Sequence, residues 1–215
     1  MSVSAQAGAT RAIVSPPARR LSQRDQTRLV DWLAGAGPIQ PNFTGGDSDA
    51  FIVQFAPDGT RGFGTYLGGI CLQYGYDVAV DGDRSIYVAG ITSSTNFPTV
   101  SPIQPVYAGG DFDAFAARLF PNGSSVAYST FLGGNLNDQA RAIDLRGNTD
   151  AYVAGTTEST NFPLASPYQA GQAGVNDIFI SRITDITPPH EQFQSITYTY
   201  DPLRAALRAE RGAIA

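Results

Sequence analysis

The chain contains no lysine and only one cysteine, one histidine, one methionine and one tryptophan in 215 residues. A lone Cys71 excludes an internal disulfide and any multi-cysteine metal site, and a lone His190 excludes zinc sites built on two histidines. No run approaches the roughly 18 apolar residues needed to cross a bilayer as a helix. The first twenty residues, ending in Arg19-Arg20, hold no apolar stretch of signal-peptide length, so no ordinary secretory signal is expected there. Charged residues make up 15%, against about a quarter in an average domain. What is plentiful is glycine (23) and proline (14), with aromatics at 11%. That profile belongs to a turn-rich β protein, not to a helical bundle or a disordered chain.

The net charge of −5 is unevenly placed. Residues 1–37 carry five arginines against Asp25 and Asp31, whereas residues 38–187 carry six arginines against fourteen acids. An acidic body repels phosphate backbones, so nucleic acid is not an expected partner of the main domain. Five dispersed arginines at the N-terminus read as a solvated segment, since binding patches cluster on one face.

The chain repeats itself. Gly109-Gly110-Asp111-Phe112-Asp113-Ala114-Phe115 restates Gly45-Gly46-Asp47-Ser48-Asp49-Ala50-Phe51, and Gly174-Val175-Asn176-Asp177-Ile178-Phe179 is a degraded third copy. Pro57-Asp58-Gly59 recurs as Pro121-Asn122-Gly123, and Tyr66-Leu67-Gly68-Gly69 as Phe131-Leu132-Gly133-Gly134. Tyr87-Val88-Ala89-Gly90 returns as Tyr152-Val153-Ala154-Gly155, and Ser94-Thr95-Asn96-Phe97-Pro98 as Ser159-Thr160-Asn161-Phe162-Pro163. Pro38-Ile39-Gln40-Pro41 matches Pro102-Ile103-Gln104-Pro105.

Each unit reads as four short strands. The first spans Ala50–Phe55, with Phe51, Val53 and Phe55 on one face and Ile52 and Gln54 on the other. Pro57-Asp58-Gly59 turns the chain into a second strand that stops at Gly68-Gly69. A third strand near Asp77–Asp81 joins a fourth near Ile86–Gly90 through the hairpin signal Gly82-Asp83, repeated as Gly147-Asn148. The expected fold is all-β: a partial β-propeller of about two four-stranded antiparallel blades plus flanking strands. A short capped helix is expected between Ser22 and Gly35, where Leu29, Trp32 and Leu33 share a face. The organisation expected is a basic extension (1–37), tandem repeats over 38–186 divided near 38–101, 102–166 and 167–186, and a Pro-led tail (187–215).

This unit resembles the bacterial seven-bladed β-propeller repeat called SBBP. The likeness is carried by Asp49-Ala50-Phe51, Tyr66-Leu67-Gly68-Gly69, Ala79-Val80-Asp81, Tyr87-Val88-Ala89-Gly90 and Thr95-Asn96-Phe97-Pro98-Thr99, with their second copies. The resemblance implies a propeller blade in a secreted or surface-attached bacterial protein without a known enzymatic activity. Two full units fall short of a ring of seven. Pro188-Pro189 interrupts the third unit, and Ile196-Thr197-Tyr198-Thr199-Tyr200-Asp201-Pro202-Leu203 resembles the opening of a YD repeat of the RHS type.

The candidates for chemistry are few. Asp47, Asp49, Asp111 and Asp113 alternate in Gly-rich loops and invite a calcium reading, but six or more oxygen ligands are not visible. The alternative is that they satisfy turn amides. No metal or cofactor is assigned. Asp81/Asp83 and Asp144/Asp150 read as hairpin residues. His190 follows two prolines with nothing to fix it between a nucleophile and an acid. Cys71 lacks a basic neighbour to activate it, and Glu158 has Ser93 at its counterpart position, so it has no repeated role. Phe97, Phe162, Tyr87 and Tyr152 suit either a sugar-stacking surface or the packing between blades, and packing is favoured.

The expected function is therefore a non-enzymatic interaction module, with the loops Ser93–Gly110 and Ser159–Gly174 displayed to a protein or glycan partner. The alternatives are a piece of an RHS-like delivery or enzyme-bearing protein, and a calcium-dependent adhesin. Exposed blade edges predict self-association, or capping by the terminal segments.

Overall fold

The computed structural model describes residues 38–121 and 123–184, together with the backbone of two short strands at 2–4 and 11–14. In chain order the strands are β1 (Ser2–Ser4), β2 (Arg11–Val14), β3 (Ala50–Phe55), β4 (Arg61–Leu67), β5 (Gln73–Val80), β6 (Ile86–Thr92), β7 (Asp113–Leu119), β8 (Val126–Leu132), β9 (Asp138–Arg146), β10 (Asp150–Thr157) and β11 (Asp177–Thr184). No helix occurs among the described residues. The helix expected between Ser22 and Gly35, His190 and the YD-like tail all lie outside them.

The strands form three antiparallel sheets with the orders β1-β2-β3-β4, β5-β6-β7-β8 and β9-β10-β11. The all-β fold with two four-stranded sheets and flanking strands agrees with the expectation. The phase of the sheets is new. The four strands of one sequence unit, β3 to β6, do not share a sheet. Instead, the last two strands of one unit pair with the first two of the next, as in the run Val88↔Ala117 and Ala89↔Ala116 between β6 and β7. The first sheet follows the same plan, with β2 from the N-terminal extension pairing Ile13↔Val53 and Val14↔Ile52. That extension gave no strand signal: the four residues of β2 keep none of the Tyr-Val-Ala-Gly pattern found at the equivalent β6.

Stacking follows from burial on both faces of the middle sheet. In β7, Phe115, Ala117 and Leu119 join Ala50, Ile52, Phe63 and Leu67 of the first sheet in one core cluster. Ala114 and Ala116, on the other face of β7, join Ala140, Ile143, Val153 and Phe179 of the third sheet in another. Each fully buried large apolar side chain contributes roughly 1.5–3 kcal/mol. Strands β1, β5 and β9 pack against one another from sheet to sheet, and no comparable packing joins the far strands β4 and β8. The sheets therefore fan out from one edge, which is the arrangement of propeller blades.

A local irregularity gives the motif glycines their purpose. Tyr76 in β5 and Arg141 in β9 are extra residues, bulged out of register opposite Gly90 and Gly155. The bulge presses the neighbouring chain inward, so a β-carbon at Gly90 would sit 1.9 Å from the Tyr74 carbonyl oxygen. At Gly155 it would meet the Gln139 carbonyl oxygen at the same 1.9 Å. Only glycine fits either position.

Candidate functional site

Antiparallel pairing sends successive connections to opposite ends of the sheets. The links at 56–60, 81–85, 120–125 and 147–149 are tight hairpins at one end of the sheets. The Gly-Gly turns at 68–72 and 133–137 and the long links at 93–112 and 158–176, with the segment before β3, all emerge at the other end. This long-loop end is the candidate functional site.

The Gly-Gly turn after each outer strand is held by side chains from three directions. In the first copy the Gly68 amide donates to Gln40 Oε1 (3.0 Å) and the Gly69 amide to Gln73 Oε1 (3.0 Å). The Ile70 amide then donates to Asn96 Oδ1 (3.0 Å) and the Cys71 amide to Ser94 Oγ (2.8 Å). The second copy repeats the pattern. Gly133 donates to Gln104 Oε1 (3.0 Å), Gly134 to Asp138 Oδ2 (2.7 Å), Asn135 to Asn161 Oδ1 (2.7 Å) and Leu136 to Ser159 Oγ (2.9 Å). The Ser-Thr-Asn-Phe-Pro motif thus supplies acceptors to a turn about 25 residues upstream, and its Phe anchors the loop in the core. Phe97 lies 4.7 Å from Phe115 and 5.7 Å from Phe131, ring centre to ring centre, and Phe162 stacks on Phe179 at 4.6 Å. Pro98 places its carbonyl to accept from Ser129 Oγ at 2.7 Å, while Pro163 stays near the surface beside Phe162.

The aspartates serve the same turns. Asp49 Oδ2 accepts from the Thr44 amide (2.8 Å), Thr44 Oγ1 (3.0 Å) and Gln40 Nε2 (3.1 Å). Asp113 Oδ2 accepts from the Ala108 amide (2.7 Å), and Asp177 Oδ2 from the Ala173 amide (2.8 Å). The turn-amide reading of Asp49 and Asp113 is the one this geometry matches. Asp47 and Asp111 are exposed, and Asp111 uses its backbone amide to bond Asn137 Oδ1 at 2.7 Å. Among the described residues no three His, Cys, Asp or Glu side chains converge on a point where an ion could sit.

Asp49 and Asp113 each leave Oδ1 buried without a hydrogen-bond partner, tucked against Gly68 and Gly133. Burial pushes the Asp49 carboxyl up to about 6 and the Asp113 carboxyl up to about 7, and Asp138 is raised as well, also by burial. The higher value at Asp113 has a second cause in the charge of Asp138, which stands where the first copy has the neutral Gln73. Both Asp113 Oδ1 and Asp138 Oδ2 lie within 3.0 Å of the point a Gly133 β-carbon would occupy.

At the hairpin end Asp81 accepts from the Ser85 amide (2.8 Å) and pairs with Arg118 at 3.6 Å, while Asp150 pairs with Arg182 at 2.8 Å. Asp83 lies in the hairpin link and accepts from Asn148 Nδ2 (2.7 Å), whereas Asp144 and Asp150, read as hairpin residues, lie within β9 and β10, with Asp144 Oδ1 accepting from the Leu145 amide (2.8 Å). Tyr87 is buried, with its hydroxyl donating to Asp81 Oδ2 and the Asn148 carbonyl, whereas Tyr152 is half-buried on the outer face of the third sheet. Cys71 is exposed and free. Glu158 accepts from Asn137 Nδ2 at 3.0 Å, a loop contact.

Once the motif residues are assigned to the frame, the exposed side chains of the long-loop end remain. Ile70, Val106, Leu136, Leu164, Tyr168 and Val175 are 44–82% exposed on four neighbouring loops. Backbone bonds lace those loops together: Gln73 to the Ser48 carbonyl, Ser93 to Leu72, Asp138 to Phe112 and Glu158 to Asn137, at 2.7–2.9 Å. Along the inner edge Tyr76 and Arg141, the two bulged residues, stack with the guanidinium 4.6 Å from the ring centre. Sequence reasoning missed this pair because a bulge is set by pairing, not by composition.

No helix among the described residues is long and apolar enough to cross a membrane. No curated protein matches the chain. A family model described as a beta-propeller repeat, SBBP, matches residues 63–98, the stretch that runs from β4 through the Gly-Gly turn to the Asn-Phe-Pro motif that closes it.

Proposed function

We propose that this chain is a non-enzymatic propeller-type module that presents its long-loop end to a protein or glycan partner. The observation that carries this reading is the division of labour among side chains. The repeated residues are spent on turn amides and on the core, while large apolar side chains stand exposed on laced loops at one end. Exposed apolar side chains gathered at one end of a rigid frame suit a binding surface. A setting outside the cell or on a bacterial surface fits the family likeness of residues 63–98.

The test compares the chain with a variant carrying Val106→Ser, Leu164→Ser and Tyr168→Ser on glycan arrays and on immobilised envelope proteins. The expected result is loss of binding with an unchanged unfolding temperature. A variant that keeps every interaction of the parent chain would contradict the proposal.

A further inference from the structure

Among the described residues the third sheet ends at β11, where the other two continue to β4 and β8. Beside the free edge of β11 lies a cavity of about 390 Å³ lined by Phe162, Gln169, Ile178, Phe179 and Ile180 among others. In the second sheet the same space is filled by β8, whose Phe131 completes the cluster with Phe97 and Phe115. Ile178 is 76% exposed, whereas its counterparts Ala50 and Ala114 are fully covered. An open strand edge with an apolar cavity along it is a site for one further strand.

We propose that residues 191–197 of this same chain, Glu191-Gln192-Phe193-Gln194-Ser195-Ile196-Thr197, occupy that edge as the fourth strand of the third sheet. The occupant is identified by what the edge requires at each position. The two outer strands already in place have an aromatic residue at Phe63 and Tyr128, a threonine two residues on at Thr65 and Thr130, and a large aromatic next at Tyr66 and Phe131. The segment supplies Phe193, Ser195 and Ile196 at the same intervals. The hydroxyl has a defined role, since Thr65 Oγ1 accepts from the Gln40 amide and Thr130 Oγ1 from the Gln104 amide, both at 2.9 Å. The Gln40 and Gln104 carbonyls in turn accept from the amides of Tyr66 and Phe131 at 3.1 and 3.2 Å. Gln169 is the third member of that series, its Nε2 donating to Asp177 as Gln40 Nε2 does to Asp49. Ser195 and the Ile196 amide are placed to complete it.

Chain length agrees. Five residues join β3 to β4 and six join β7 to β8, and six, residues 185–190, would join Thr184 to Glu191. Pro188-Pro189 then falls in the connection that holds Pro57 and Pro121 in the earlier units. There a missing amide donor costs nothing in the ladder.

The register is fixed by analogy with Ala114↔Leu132 and Phe115↔Phe131: Ile178 opposite Thr197, and Phe179 opposite Ile196. Directly opposed residues have Cα atoms about 4.5–5.5 Å apart, within the span of a disulfide. In the full chain with Cys71→Ser, the pair Ile178→Cys and Thr197→Cys is oxidised mildly and read by non-reducing electrophoresis and mass spectrometry. The expected product is an intramolecular disulfide in the monomer. The pair Ile178→Cys and Ile196→Cys, on opposite faces, is expected to form at least ten-fold less. Disulfide-linked dimers would show instead that a second copy fills the edge, and they would overturn the proposal. Equal yields from both pairs, or no cross-link in a chain whose circular dichroism is unchanged, would overturn it as well. A second variant, Ile196→Asp, is expected to lower the unfolding temperature and to release amide-exchange protection in β11 but not in β7; unchanged protection in β11 would contradict the docking.

Discussion

The two Gly-Gly turns share every acceptor but one, and the exception shows what the repeat tolerates. At Gly69 the amide is met by Gln73, and at Gly134 by Asp138. Either side chain offers an oxygen of the right reach, so geometry is kept. Electrostatics are not, because Gln73 adds no charge beside Asp49, whereas Asp138 sets a second carboxyl beside Asp113. Gln73 Nε2 also donates to Thr92 Oγ1 at 3.2 Å and to Ser94 Oγ. In the second copy the direction reverses, and Ser159 Oγ donates to Asp138 Oδ2 at 2.7 Å. A hydroxyl that both donates and accepts makes the exchange possible.

The largest effect is expected where the copies differ in packing. Phe97 touches two aromatic rings and Phe162 one. Phe97→Ala should cost about 3–5 kcal/mol in urea unfolding, and Phe162→Ala measurably less, because it gives up contact with one ring instead of two. Equal losses would mean that the second ring contact of Phe97 adds nothing to stability.

Next come the turns themselves. A β-carbon at Gly68 would lie 2.4 Å from the Asp49 carboxyl, and one at Gly133 would lie 2.5 Å from Asp113 Oδ1. Gly68→Ala and Gly133→Ala should each destabilise by about 1–3 kcal/mol through overpacking. Gly171→Ala, which meets nothing within 4 Å, serves as the control and should fall within about 0.5 kcal/mol of the parent chain. A Gly68→Ala chain as stable as the control would refute the close approach.

The smallest effect is a dependence on pH. Asp49 titrates at about 6 and Asp113 at about 7 in the folded chain, against 3.8 for an ordinary aspartate. The folded state therefore holds protons that the unfolded state has released. The contribution of these carboxyls to stability is fully present below about pH 4, declines as pH rises, and is lost above about pH 7. Asp138→Gln, which copies Gln73, should flatten the decline by removing one raised carboxyl and relieving Asp113. Urea midpoints measured across that range check it, and an unchanged slope in Asp138→Gln would break the comparison.

Much of this was legible in the sequence. Alternation over Ala50–Phe55 and the Gly-Gly and Gly-Asp stops gave most strands, because those signals are local. The turn role of Asp49 and Asp113 was also readable, since a short acid before a strand has loop amides within reach. The phase of the sheets was not, because the sequence records which strands exist and leaves open which of two flanking strands each one pairs with. The bulges at Tyr76 and Arg141 were hidden for the same reason, although Gly90 and Gly155 in the middle of strands were their traces. Strands β1 and β2 left no trace, being short and held by backbone pairing, β2 to β3 and β1 to β2.

That pairing across units is the central claim, and proton–proton contacts in an isotope-labelled full chain test it directly. Contacts between the backbones of Val88 and Ala117 and of Ala89 and Ala116 are predicted, joining strands from two different sequence units. A ladder linking Arg61–Leu67 to Gln73–Val80 in their place would put each sheet within one unit and contradict the account.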